Sequence, residues 1–360
     1  MRDGLRNTAH KILSMKQTSK TQTILVTGGA GFIGSHFARL AARRGMRVIV
    51  LDKLTYAGNP ENLEDIRRGR KTAGLLEFYR GDICNAEMVE HVFAREGIDF
   101  VVNFAAETHV DRSLLGAGSF IDTDVRGVHV LLEACLRHKT ARFIQVSTDE
   151  VYGSVAEGSS KESDTLSPRN PYSAAKTGGE LLARSYWTSH GLPVIVTRGS
   201  NTYGPNQYPE KLLPLFATNA IDGQPLPLYG DGLQVRDWLH ATDHCSAIFF
   251  LMEKGEPGEA YNVPGGNERT NLEMTRVILD ELGRPESLIR RVEDRPGHDR
   301  RYSIDGSKLR ALGWRPAVLW EQGVRKTVRW YAENGSWWRP LRSGEFLEYY
   351  KRQYGKRLGI

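Results

Sequence analysis

Cysteine is scarce: Cys84, Cys135 and Cys245 are the only three in 360 residues, odd in number and without the paired spacing of a metal site. Neither a disulfide scaffold nor a structural zinc centre is expected, no metal is assigned, and a reducing, cytoplasmic compartment fits. Low-complexity tracts, internal repeats and apolar runs of bilayer length are also missing, which excludes solenoids and transmembrane bundles. Residues 1–20 have no apolar h-region and read as a disordered basic tail. The net charge of +6 comes from the two ends, because 1–20 hold five basic residues against one acidic and 339–360 hold six against two. No basic stripe interleaved with aromatics accompanies it, so a nucleic-acid partner is not expected.

With 40% hydrophobic and 26% charged residues, the chain has enough apolar material for one large domain or two lobes sharing a core. Short apolar runs at 24–26, 48–51, 78–79, 100–104, 143–146 and 194–196 read as strands. They alternate with helical stretches at 35–44, 86–95, 120–138 and onward from 172. Strands that are apolar on both faces and separated by helices mean a parallel sheet covered on both sides. The fold expected is α/β, a Rossmann-like doubly wound sheet over 21–200. A smaller mixed α/β substrate-binding lobe is expected over 201–360, with segments crossing between the two. In such folds ligands bind at the carboxyl ends of the strands.

Gly28-Gly29-Ala30-Gly31-Phe32-Ile33-Gly34 follows the first strand and opens the first helix. Gly28 permits a tight turn, Gly31 lets the backbone approach a pyrophosphate, and Gly34 lets helix and strand pack closely. The helix start then offers free N–H groups and a positive dipole end to the phosphates. Asp52 ends the second strand, where a carboxylate bonds both ribose hydroxyls and repels a 2′-phosphate, favouring NAD over NADP; Lys53 next to it keeps NADP in view. Asp82, after the third strand, reads either as an acceptor for the adenine amine or as a turn residue.

Tyr172 and Lys176 lie four apart at the start of a helix, on one face, where an ammonium lowers the pKa of a neighbouring phenol enough for it to act as a base. Ser147-Thr148-Asp149-Glu150 follows the fifth strand at its carboxyl end. Two adjacent carboxylates there supply a general acid and a general base, which simple alcohol oxidation does not need.

Together these segments resemble the extended short-chain dehydrogenase/reductase superfamily and, within it, the dTDP-glucose 4,6-dehydratases. The resemblance runs from about 23 to 302 and more loosely through Trp337-Trp338-Arg339-Pro340. It includes Asp52-Lys53-Leu54-Thr55-Tyr56-Ala57-Gly58-Asn59, the run 105–113, Tyr203-Gly204-Pro205, Glu210-Lys211-Leu212, Arg236-Asp237-Trp238 and the run 294–299. It implies a tightly bound, recycled NAD, with further contacts from Phe32, Ile33, Lys53, Thr55, Ile83, Ala105, Ala106, Thr123 and Ser147. Tyr172, tuned by Lys176, would take the proton of the sugar 4-hydroxyl and Thr148 would hydrogen-bond its oxygen. Glu150 would remove the carbon-5 proton, and Asp149 would protonate the hydroxyl leaving carbon 6. The nucleotide-sugar would meet Thr108, Asn201, Lys211, Leu212, Tyr229, Arg236, Asn271, Arg295 and His298.

The resemblance also implies a homodimer formed through the helices around 120–138 and 172–188, the latter carrying Leu181, Leu182 and Tyr186. The chain departs from the family pattern at Thr202, where a second asparagine is usual, and at His240-Ala241-Thr242. A UDP-glucose 4,6-dehydratase remains an alternative. So does a nucleotide-sugar 4-epimerase or decarboxylase, although an epimerase has no use for the Asp149-Glu150 pair. A non-catalytic NAD-binding protein has no physical reason to keep the five catalytic residues together.

Overall fold

The computed structural model describes residues 21–294 and 298–359; the basic segment 1–20 and Arg295 lie outside the described residues. Seven parallel strands form one sheet in the order β10-β6-β5-β4-β1-β2-β3. They are β1 (Thr23–Thr27), β2 (Arg47–Asp52), β3 (Leu76–Arg80), β4 (Phe100–Asn103), β5 (Arg142–Thr148), β6 (Val194–Gly199) and β10 (Ala260–Val263). The sheet is doubly wound, as the alternation of strand and helix predicts.

Period-two alternation sends neighbouring side chains of one strand to opposite cores. Ile24 and Val26 of β1 join Phe37 and Ala38 of α1 (Phe32–Arg43) on one face. Leu25 joins Val89, Val92 and Phe93 of α2 (Ala86–Glu96) and Leu131 of α3 (Val128–Arg137) on the other. The long α4 (Pro171–His190) covers β5 and β6 on that second face. Among the described residues no helix is long and apolar enough to cross a membrane.

The single helix expected over 120–138 is interrupted. A helical turn Gly118–Ile121 passes into a π-helical turn Asp122–Gly127 before α3 begins. Two glycines allow α4 and the neighbouring loop to press against it. A side chain on Gly179 would overlap the Asp124 carbonyl, and one on Gly127 would fall 2.5 Å from Ile83. π-Turns of this kind re-aim side chains at functional sites, and this one brings Thr123 and Asp124 to the carboxyl ends of the strands.

Residues beyond 201 build a second lobe and also return to the first. The strands β7 (Asn201–Tyr203), β9 (Val235–His240) and β11 (Glu268–Thr270) form one small mixed sheet, with β8 (Leu226–Tyr229) and β12 (Ile289–Val292) forming another. Helices α5 (Leu212–Ile221), α7 (Asn271–Glu281) and α8 (Trp320–Glu333) pack on them around Phe216, Trp238, Ile278 and Trp338. Between these, α6 (Ala241–Lys254) packs on α1, and β10 becomes the edge of the large sheet. Trp337 Nε1 donates to Asn62 Oδ1 (2.9 Å) and Tyr56 Oη to Glu210 Oε1 (2.9 Å), tying the lobes across the cleft.

Candidate active site

A cavity of about 300 Å³ runs along the carboxyl ends of the parallel strands, from Asp52 and Asp82 at one end to Gly199–Thr202 at the other. A second, of about 150 Å³, continues under the smaller lobe; Glu150, Asn201, Glu210 and Lys211 line both.

The glycine turn begins the first cavity. Gly28 has a left-handed φ of +64°, and a Cβ there would lie 2.7 Å from the Ala105 nitrogen. A side chain at Gly34 would overlap the Gly28 carbonyl oxygen. Close packing of turn, strand and helix therefore requires glycine at both. The first turn of α1 has no acidic residue and no side-chain cap, so its N–H groups and dipole remain available to an anion. Asp52 is buried and accepts N–H bonds from Ala30 (2.9 Å) and Leu54 (2.8 Å), which leaves lone pairs for ribose hydroxyls. Burial raises its pKa despite those bonds. Lys53 turns away from it to pair with Asp82 at 2.7 Å, and this holds the Asp82 carboxyl below its usual range against the effect of partial burial.

Phe32, Ile33, Thr55, Ile83, Ala105, Ala106, Thr123 and Ser147 line the same cavity. Ser147 Oγ is buried without a partner among the described residues, an orphan that a bound ligand would satisfy. These features fit a dinucleotide laid across the strand ends.

At the middle of the cleft the local fold fixes the reactive groups. Thr148 ends β5 and caps the turn Asp149–Tyr152, accepting the Glu150 N–H at 3.2 Å. Asn170 caps α4 in a capping box with Ser173, and Pro171 occupies the first helical position, so Tyr172 and Lys176 sit on a rigid first turn.

The two carboxylates have unlike surroundings. Asp149 is 3% exposed. Its pKa is pushed up to about 8, first by burial and then by the charges of Glu150 and Asp237, so it is mainly a neutral acid at pH 7. Thr148 Oγ1 donates to its Oδ1 (3.2 Å). Glu150 is half-buried; its Oε2 accepts from Asn170 Nδ2 (3.2 Å) and lies 3.3 Å from Tyr302 Oη, whose one hydrogen goes to Asp299 Oδ2 (2.7 Å).

The expectation that Lys176 lowers the Tyr172 pKa is not met in this cleft. Lys176 Nζ donates to the Val146 carbonyl (2.8 Å) and lies 3.5 Å from Asp124 Oδ1. Burial and then the Glu150 charge push Tyr172 well above 10, with the Thr148 hydrogen bond opposing them. Deep burial among carboxylates outweighs a cation whose charge Asp124 shares. Asp124 is itself raised to about 7 by burial, with Lys176 opposing.

Leu212, Tyr229, Arg236, Asn271 and His298 line the second cavity, and Thr108 lines the first. Lys211 Nζ donates to the Thr108 carbonyl (2.6 Å) at the start of α5. Arg236 is fixed by the Asp299 carbonyl (2.9 Å) and lies over the Tyr302 ring at 4.4 Å. The ring of His298 meets Tyr229 edge-on at 5.9 Å, and Tyr229 Oη donates to Asp111 Oδ2 (3.2 Å). Asn201 Oδ1 is buried without a partner among the described residues.

Sequence reasoning gave no role to Glu107, Asp124, Asn170, Tyr302 or His244. Asn170, directly before Pro171, carries a cap signal that could have been read. Tyr302 reaches Glu150 from 152 positions away with no local signal at all.

The profile of the GDP-mannose 4,6 dehydratase family matches residues 25–327. A dTDP-glucose 4,6-dehydratase of Streptomyces niveus is 51% identical over 327 residues, covering 89% of this chain and 96% of that protein. The dTDP-glucose 4,6-dehydratase DesIV of Streptomyces venezuelae, solved with NAD bound, superposes with a TM-score of 0.85 at 50% identity, covering 89% of this chain and all of its own. A Thermus thermophilus UDP-glucose 4-epimerase, solved as a complex with NAD, has a TM-score of 0.81 at 32% identity, covering 87% and 100%.

Proposed function

The chain belongs to the dTDP-glucose 4,6-dehydratase family, and from that membership and the site we infer that it converts dTDP-glucose to dTDP-4-keto-6-deoxyglucose and water, using NAD. The epimerase shares the fold almost as closely, so architecture does not separate the two activities. The observation that carries the choice is the unlike pair at 149 and 150: a buried, protonated carboxyl beside a half-buried one that faces the cleft and accepts from Asn170 Nδ2. A buried carboxyl that keeps its proton, next to a second carboxyl, suits an elimination, which needs an acid and a base at once.

Bound NAD supplies a reversible hydride acceptor for oxidation at carbon 4 and a donor for reduction at carbon 6. Tyr172 would take the hydroxyl proton at carbon 4 once the positive charge of the bound nicotinamide offsets the burial and the carboxylate charge that raise its pKa in this cleft. Thr148 is hydrogen-bonded to the same oxygen, and Lys176 is held at the Val146 carbonyl. The ketone so formed acidifies carbon 5, and Glu150 removes that proton. Asp149 gives its proton to the hydroxyl on carbon 6, which departs as water. Reduction at carbon 6 and return of a proton from Glu150 to carbon 5 finish the product. Transfer of the proton held by Tyr172 to Asp149, directly or through solvent, restores both groups and completes the balance. Arg236 and Lys211 offer cationic groups to the diphosphate, while Tyr229 and His298 offer ring surface to the base. The test is chromatography coupled to mass spectrometry of dTDP-glucose and UDP-glucose reactions without added NAD: loss of one water from the first supports the reading, and a new peak of unchanged mass, an epimer, overturns it.

We propose in addition that the protein is a homodimer. Leu181 of α4 and Ile121 are 50% and 57% exposed, a pair of large apolar side chains that a partner copy would cover. Tyr186, by contrast, is buried against His129 and Glu133, so it belongs to the protomer's own packing. Three cysteines left as thiols support a reducing, cytoplasmic setting.

A further inference from the structure

His244 stands in the first turn of α6 and closes the end of the first cavity beside Gly199–Thr202. It is 2% exposed, and it reaches this place because residue 199 is glycine: a Cβ there would lie 2.5 Å from its Cε1 and 2.6 Å from its Nε2. Burial lowers its pKa to about 4, so the ring is neutral and carries one N–H.

The position of that hydrogen follows from its neighbours. Thr202 Oγ1 donates to the Ser200 carbonyl at 3.1 Å, which uses its single hydrogen. The contact of Thr202 Oγ1 with His244 Nδ1, at 2.9 Å, is then satisfied when Nδ1–H donates to the threonine oxygen. Nε2 is left as a bare acceptor, buried and without a partner among the described residues. A buried acceptor in a ligand cavity is a position for a donor on the ligand.

Strand order says which part of the ligand comes here. Asp52 ends β2, the glycine turn follows β1, Ala105 follows β4, Thr148 ends β5 and Gly199 ends β6. With strands ~4.8 Å apart, Gly199 is four strands from Asp52, and the ribose and adenine lie at the Asp52 end. The nicotinamide therefore comes to the β5–β6 end beside Tyr172, and its one N–H donor is the carboxamide.

We propose that His244 is a cofactor-positioning residue whose Nε2 accepts a hydrogen bond from the nicotinamide carboxamide, with Thr202 fixing the tautomer. The inference rests on NAD as the cofactor. Binding by the full chain, stripped of cofactor, is measured without sugar for NAD and for 3-acetylpyridine adenine dinucleotide, which replaces the amide NH₂ by methyl. The wild type should favour NAD by about five- to ten-fold, the worth of one buried hydrogen bond. In His244→Phe the ratio should fall close to one. An unchanged ratio in the variant overturns the inference, because the amide is then read elsewhere.

Nitrogen NMR of the wild type labelled at histidine checks the claim without any variant. The unprotonated Nε2 signal should move on adding NAD and stay in place with the analogue. No movement with NAD, or movement only when dTDP-glucose is added, contradicts the assignment and points to a sugar hydroxyl as the donor. If neither dinucleotide binds the wild type, the cofactor reading itself fails and takes this inference with it.

Discussion

Replacing Asp149 by asparagine removes an ionisable proton donor while keeping the side chain's size and the acceptor for Thr148. In the folded chain this carboxyl titrates at about 8 against 3.8 for an unperturbed aspartate, because burial and Glu150 disfavour its charged form. At 1.36 kcal/mol per pH unit, holding it ionised would cost on the order of 6 kcal/mol. The sign follows from the proton count. Between about pH 4 and 8 the unfolded chain has released this proton and the folded chain has kept it, so stability falls as pH rises through the window. Asp149→Asn should therefore match the wild type in urea midpoint near pH 4 and exceed it increasingly toward pH 8. Its dehydration rate should be lower by about 10²–10⁴, the worth of a positioned general acid. In the wild type the elimination step should decline about ten-fold per pH unit above 8. Paralleled urea midpoints across the window, or a variant that dehydrates at the wild-type rate, would refute the reasoning.

Glu150→Gln should retain oxidation at carbon 4, seen as transient absorbance of reduced cofactor, while deuterium exchange at carbon 5 slows by about 10²–10⁴; exchange at the wild-type rate would remove Glu150 as the base. Arg236→Lys loses the planar fork held over Tyr302, so KM for dTDP-glucose should rise roughly ten-fold with kcat little changed, and a fall in kcat at constant KM would contradict a binding role. Leu181→Glu places a charge on the exposed apolar face of α4 and should convert a dimer to a monomer by light scattering; a dimer of undiminished stability would move the interface elsewhere.

What could be read from the chain was what lies in short, contiguous runs. The glycine turn, the Thr148-Asp149-Glu150 segment and the Tyr172/Lys176 pair each sit where a strand meets a helix, so local periodicity locates them at the strand ends. Partners assembled by topology left no such trace. Tyr302 and Asn170 both come to Glu150 Oε2 from distant parts of the chain, and His244 reaches the cofactor end because α6 returns to pack on α1. The electrostatics were also out of reach: helix spacing puts Lys176 beside Tyr172, but only the fold shows that Asp124 shares its charge. The π-turn that delivers Asp124 depends on Gly127 and Gly179, glycines 52 positions apart whose meaning is visible only in packing.

The most direct test of the central claim is a proton NMR time course with dTDP-glucose in deuterated buffer, without added NAD. Dehydration by this cleft predicts a 4-keto-6-deoxy product carrying solvent deuterium at carbon 5, formed over many turnovers. A galactose-configured product, or a 4-keto-6-deoxy sugar with its original hydrogen at carbon 5, would contradict the account.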